Sequence, residues 1–166
     1  HMIRKLTLGF SLGLALLAAP ASAQDYAPKR VVGAVDIDDL KAIVASLDHT
    51  LIEVGSGDEV TLGASADDGT KYILTGTACD RGGIAGCQGV MMQVRYDPIA
   101  SVTDADLARA NREQAAILTW QDDSNGTIGT TRYVVLDHGI TMANLRENVR
   151  VLLAITPLAI EALVGD

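Results

Sequence analysis

From residue 31 onward the spacing of apolar residues switches between a helical and a strand-like period. One local pattern occurs three times: Val35-Asp36-Ile37-Asp38-Asp39-Leu40, Val102-Thr103-Asp104-Ala105-Asp106-Leu107 and Ile140-Thr141-Met142-Ala143-Asn144-Leu145. Each places an Asp or Thr where a helix N-cap belongs and an Asp or Asn three residues later. Apolar residues bracket the cap, positioned to staple the first turn. Asp near a helix N-terminus also complements the helix dipole. Helices are therefore predicted to begin near 37, 104 and 142. The first carries Ile37, Leu40, Ile43, Val44 and Leu47 on one face, turns Asp38, Asp39, Lys41 and Ser46 outward, and should end near Asp48 or His49. The second has a weaker, partly polar stripe of Leu107, Ala110, Asn111, Gln114 and Leu118. The third runs through Leu145, Val149, Leu152 and Leu153 to Ile155. Pro157 should end or kink it, with Thr156 able to cap a last short helix over 158–164.

Between the helices the period falls to two. Residues 50–55, 59–66, 70–78 and 87–96 read as strands, with turns at Gly55-Ser56-Gly57-Asp58 and Asp67-Asp68-Gly69. A further hairpin spans roughly Ile117 to Asp137 and turns at Asp122-Asp123-Ser124-Asn125-Gly126. The expected fold class is α+β: an antiparallel sheet with helices packed on one face, in the order α-β-β-β-β-α-β-β-α.

The first 30 residues do not belong to that pattern. His1 precedes Met2 and is set aside as a cloning remnant. Arg4 and Lys5, the apolar run from Leu6 to Ala19, and Ala21-Ser22-Ala23 follow the order of a secretory signal peptide. The apolar run is shorter than the ~20 residues a spanning helix needs. Residues 2–23 are thus expected to be cleaved between Ala23 and Gln24, which places the mature chain in the periplasm with no membrane attachment. Residues 24–30 read as a polar lead-in and 31–166 as a single domain.

Export changes how charge and cysteine are read. Removing residues 1–23 leaves 143 of the 166 residues and takes Arg4 and Lys5 with it, so 11 basic residues face 21 acidic ones, a net charge of −10. Nucleic acid and anionic lipid require clustered Lys and Arg, so neither is an expected partner. Cys79 and Cys87 are the two cysteines, and the seven residues between them include three glycines. In an oxidising compartment the two are expected to form a structural disulfide.

Candidate chemistry is sparse. Beyond His1 there are only His49 and His138, each alone at the end of an element. No G-x-S-x-G or H-E-x-x-H motif occurs, and Gly55-Ser56-Gly57 lacks the Lys-Ser/Thr and following helix of a phosphate loop. The acidic turn at Asp122 lacks the Glu that completes a calcium loop. No catalytic residue, metal or cofactor is assigned. Asn111 is the most informative polar residue, because a side-chain amide on an inward stripe must find partners. It reads as bonding the neighbouring hairpin, or alternatively as part of a ligand patch with Arg112 and Arg132. Trp120 and the Met91-Met92 pair read as packing residues, with a partner anchor as the alternative for Trp120.

From Gly86-Cys87 through Leu163 the chain resembles the YbjN family of bacterial proteins. The resemblance rests on a Gly-Cys entering a strand, the Asn111-Arg112 pair in a helix, a long hairpin, and Gly139-Ile140-Thr141 with Asn144-Leu145 opening the last helix. The first half is similar only in element order. The family resemblance implies an architecture similar to type III secretion chaperones, a sensory transduction regulator label, and a protein partner held on a sheet or helix face, often by a dimer. This chain departs from the family in its signal segment and in carrying Glu113-Gln114-Ala115-Ala116 where aromatics would follow Asn111-Arg112. The resulting expectation is an exported, non-enzymatic, protein-binding or chaperone-like module. The alternative is a small-ligand sensor or enzyme with a pocket near Asn111.

Overall fold

The computed structural model describes residues 26–165, so the signal segment and the Ala23–Gln24 cleavage site lie outside the described residues. The elements are β1 (Val31–Val32), α1 (Ile37–Ser46), β2 (Thr50–Val54), β3 (Thr61–Ser65), β4 (Lys71–Cys79), β5 (Cys87–Tyr96), α2 (Asp104–Glu113), β6 (Leu118–Gln121), β7 (Ile128–Val135), β8 (Ile140–Thr141) and α3 (Met142–Val164). Six strands form one antiparallel sheet in the order β2-β3-β4-β5-β7-β6, while β1 and β8 pair separately.

The three helices begin where their caps place them. Asp36 accepts from the backbone N–H groups of Asp38 and Asp39, and Asp39 reaches back to the Asp36 N–H. Thr103 and Asp106 form the same reciprocal box at α2. At α3, Thr141 accepts from Asn144 without reciprocation. All three helices pack on one face of the sheet. There Leu40, Ile43, Leu62, Tyr72, Leu74, Met92, Leu145 and Leu152 form one buried core, and a smaller cluster gathers around Ala110, Ile128 and Leu163.

Three details depart from the sequence reading. Asp39 is buried rather than outward, because the capping box folds its carboxylate back over the turn, where Arg30 pairs with it. Leu118 is not on α2, which ends at Glu113, but opens β6 on the far face of the sheet. Helix α3 also runs without interruption through Pro157, and Thr156 caps nothing: its hydroxyl donates to Leu152 O at 2.7 Å from within the helix. The Pro157 ring sits on the solvent side and forfeits one hydrogen bond, while Thr156, Ala159 and Leu163 are buried beside it. An interior proline costs about 3 kcal/mol, burial of Leu163 returns about 1.5–3 kcal/mol, and Ala159 together with the Thr156 hydroxyl bonded to Leu152 O and Thr130 supplies the remainder, so the helix continues.

Candidate functional site

Among the described residues the far side of the sheet carries no helix, and its side chains are set by register. On β5, Met91, Gln93 and Arg95 point there; on β7, Thr131, Tyr133 and Val135; on β4, Lys71, Ile73, Thr75 and Thr77. Trp120 lies flat against Gly129 and Tyr133 against Gly89, positions where any Cβ would collide with the rings. Hydrogen bonds link these side chains to one another. Trp120 Nε1 donates to Thr131 Oγ1 at 2.8 Å, Gln93 Nε2 donates to the same oxygen at 3.1 Å, and Arg95 Nη2 donates to Gln93 Oε1 at 3.0 Å. The Tyr133 and Thr77 hydroxyls are 2.9 Å apart, and those of Thr61 and Thr75 are 3.1 Å apart. Leu118, Tyr133 and Val135 remain 56%, 53% and 60% exposed on this face.

One edge of the sheet is also bare. All five residues of β2 are exposed, and Leu51, Ile52 and Val54 keep 41%, 50% and 40% of their surface in solvent. The register against β3 shifts between Leu51 and Glu53, a bulge that brings Ile52 out of alternation. An edge strand presents unpaired backbone N–H and C=O groups, and an apolar one invites another strand. These residues were not singled out by the sequence reading. The available signal was the adjacent pair Leu51-Ile52, which breaks the period of two and so cannot be buried on one face alone.

The residues singled out from sequence fall into separate places. Asn111 is half-buried and fully engaged: its amide nitrogen donates to Leu107 O and Thr119 O, both at 2.9 Å, and its oxygen accepts the Thr119 N–H at 2.8 Å. Arg132 donates to Asn148 Oδ1 at 2.7 Å and to Ala116 O. Both line a surface groove of about 520 Å³ together with Ile117, Leu118 and Tyr133; the Asn111 amide and the Nε and Nη1 of Arg132 are bonded to the protein itself. Arg112 is exposed in the last turn of α2 and does not line that groove. Trp120 belongs to the bare face. Met92 is buried in the core, whereas Met91 is half-buried on the bare face.

Cys79 and Cys87 are cross-strand neighbours and are bonded to each other. His49 Nδ1 lies 2.9 Å from the Tyr72 hydroxyl, whose ionisation burial pushes far up. His138 sits in an exposed turn beside Asp137. Among the described residues no three His, Cys, Asp or Glu side chains gather as a metal site.

The six-stranded antiparallel sheet covered on one face by three helices, with β7 inserted between β5 and β6, matches known structures. The chain has the YbjN fold. YbjN from E. coli, described provisionally as a transcription regulator, aligns with a TM-score of 0.61 at 15% identity, over 79% of this chain and 92% of its own. A chain of the ExsC–ExsE complex aligns at 0.50 and 14% identity, over 71% of this chain and 85% of its own. A chain of the HopA1–SchA chaperone–effector complex aligns at 0.48, too low to add to the comparison. No family model matches the sequence, and no curated protein matches it. The likeness to the YbjN fold therefore resides in element order and sheet topology rather than in shared residues.

Proposed function

We propose that this chain is an exported, non-enzymatic protein-binding module that receives an extended segment of its partner along β2. The carrying observation is that edge: five exposed residues, three of them large and apolar, next to a bulge. A segment added there satisfies the outer backbone groups of β2 and covers Leu51, Ile52 and Val54, which is recognition by strand addition. The similarity to a chain of the ExsC–ExsE complex supports a protein as the partner. The signal-like segment supports the periplasm as the place of action. The scattered titratable groups support a role without catalysis, since His49 and His138 each stand with one neighbour.

The test is affinity capture from a periplasmic extract with the parent chain and with Ile52→Lys. A protein retained by the parent and reduced tenfold or more by Ile52→Lys is the expected outcome, with amide exchange slowed across residues 50–54 in the complex. Equal retention by both chains would remove β2 from the interface. The second reading, a small-molecule sensor using the groove beside Asn111, rests on that groove's 520 Å³ volume. A small molecule recovered with the parent, and no protein, would favour it.

A further inference from the structure

We infer that Asn125 is an acceptor for N-linked oligosaccharide, transferred from a lipid diphosphate carrier. The motif is Asn125-Gly126-Thr127, an asparagine two residues before a threonine with no proline between them. The chain has four asparagines, and the other three carry Glu113, Arg146 and Arg150 at the position where Asn125 has Thr127. Those three, Asn111, Asn144 and Asn148, also lie within helices α2 and α3. Asn125 alone stands on a loop, the setting in which such a motif can be reached.

The turn accounts for half of the motif. Residues 122–127 close the β6–β7 hairpin: Asp122 N donates to Thr127 O at 2.9 Å, and Gly126 N donates to Asp122 O at 2.7 Å. Gly126 has a φ of 78°, which favours glycine, and a Cβ there would press on Pro98 at 3.2 Å. An asparagine before such a glycine is ordinary turn chemistry. Thr127 and Asp123 are not explained in that way. Thr127 bonds through its backbone, its N–H donating to Asn125 Oδ1 at 2.9 Å and its carbonyl accepting from Asp122. Its hydroxyl is left for a transferase to read. Asp123 joins no ion pair among the described residues. An acidic residue two positions before the asparagine is the extension that transferases of the bacterial periplasm recognise.

The side chain is presented for the reaction. Asp123, Ser124 and Asn125 are all exposed at the hairpin tip. Asn125 Nδ2 donates to Asp122 Oδ2 at 3.2 Å, the long end of the range for such a bond, so it is readily released. Transfer forms a bond from Nδ2 to the anomeric carbon of the sugar and breaks that carbon's bond to the diphosphate oxygen. The diphosphate leaves with the electron pair, and Nδ2 gives one proton to the transferase. The tip lies at the β6–β7 end of the sheet, with β6 about 24 Å from β2 across the strand order. A glycan on Asn125 therefore leaves the β2 edge open.

The inference rests on the export reading, because lipid-linked oligosaccharide is handed over on the far side of a membrane. Purified components keep the two apart: the reaction answers for Asn125 whether or not the chain is exported. The folded chain is incubated with a bacterial oligosaccharide transferase and a lipid diphosphate-linked oligosaccharide, under conditions that glycosylate a control acceptor peptide. Intact mass and peptide mapping are the readout. One added glycan is expected, carried by the tryptic peptide 113–132. Asn125→Gln and Thr127→Val should abolish it, Asp123→Ala should reduce it, and Thr127→Ser should keep it. These turn positions lie outside the buried core, so each variant should keep the parent's thermal melt. A folded parent that stays unmodified overturns the inference, as does a glycan that persists in Asn125→Gln. Should Thr127→Val misfold, Asn125→Gln decides.

Discussion

Asn111 links two elements with one amide, and the consequences of removing it follow from its bonds. It ties the third turn of α2, through Leu107 O, to both backbone groups of Thr119 in β6. Asn111→Leu leaves the Thr119 N–H and C=O without those partners, so a loss of about 1–3 kcal/mol is expected in urea unfolding. Partner capture by the folded fraction should be unchanged. Asp106 acts on a smaller scale. Hydrogen bonds from the Thr103 side chain and backbone hold its carboxyl below the ordinary value of 3.8, with Arg109 adding to the effect. Asp122 and Asp68 are lowered in the same way by bonds from Ser124 and Thr70. A carboxyl depressed in the folded state contributes stability above its unfolded pKa and loses it as pH falls through the folded value. Stability should therefore hold from neutral pH down to the carboxylate range and fall below it. In an NMR titration, Thr103→Ala should move the Asp106 pKa back up toward 3.8.

At the scale of elements, what the sequence made legible was local. Asp36, Thr103 and Thr141 fix three helix starts because a cap, its N3 partner and its staple all lie within six residues. The strands were legible wherever one face is buried, as in β5, where Val90, Met92 and Val94 point inward. The remainder depended on contacts distant in sequence. Nothing near Asp39 foretold Arg30, and nothing near Pro157 foretold that Thr156, Ala159 and Leu163 would be buried strongly enough to carry α3 past it. The candidate site was the least legible part, because a bare face differs from a covered one only in what packs elsewhere. Pro157→Ala should restore the missing backbone donor and raise stability by roughly 1–3 kcal/mol, measured by denaturant midpoint, with no change in helix content. Replacing Cys79 and Cys87 together should lower stability by about 2.5 kcal/mol, the loop-closure value for so short a loop, and leave the sheet order intact.

At the scale of the molecule, the start of the described chain and the start of α3 are stitched together. Pro28 O and Arg30 O accept the N–H groups of Ala143 and Met142, supplying partners that the first turn of a helix lacks within itself. Val31 and Val32 then pair with Thr141 and Ile140, Tyr26 lies under the Arg146 guanidinium with 5.1 Å to the ring centre, and Arg30 reaches across to Asp39 of α1. Residues 26–32 thus clamp α1 to α3, a role beyond that of a polar lead-in. A signal segment cleaved after Ala23 would leave two residues, Gln24 and Asp25, before this clamp. Arg30→Ala removes the partner of a buried carboxylate while leaving the Asp36 cap bonds to Asp39, and Arg30 is itself 38% exposed, so solvent screens part of the loss. A decrease of about 1–2 kcal/mol is expected in urea unfolding. Amide exchange should quicken at Met142 and Ala143 more than at the centre of the sheet, because the strap and not the core has been loosened. Uniformly faster exchange across β4 and β5 would show instead that Arg30 supports the whole core, and would contradict the clamp.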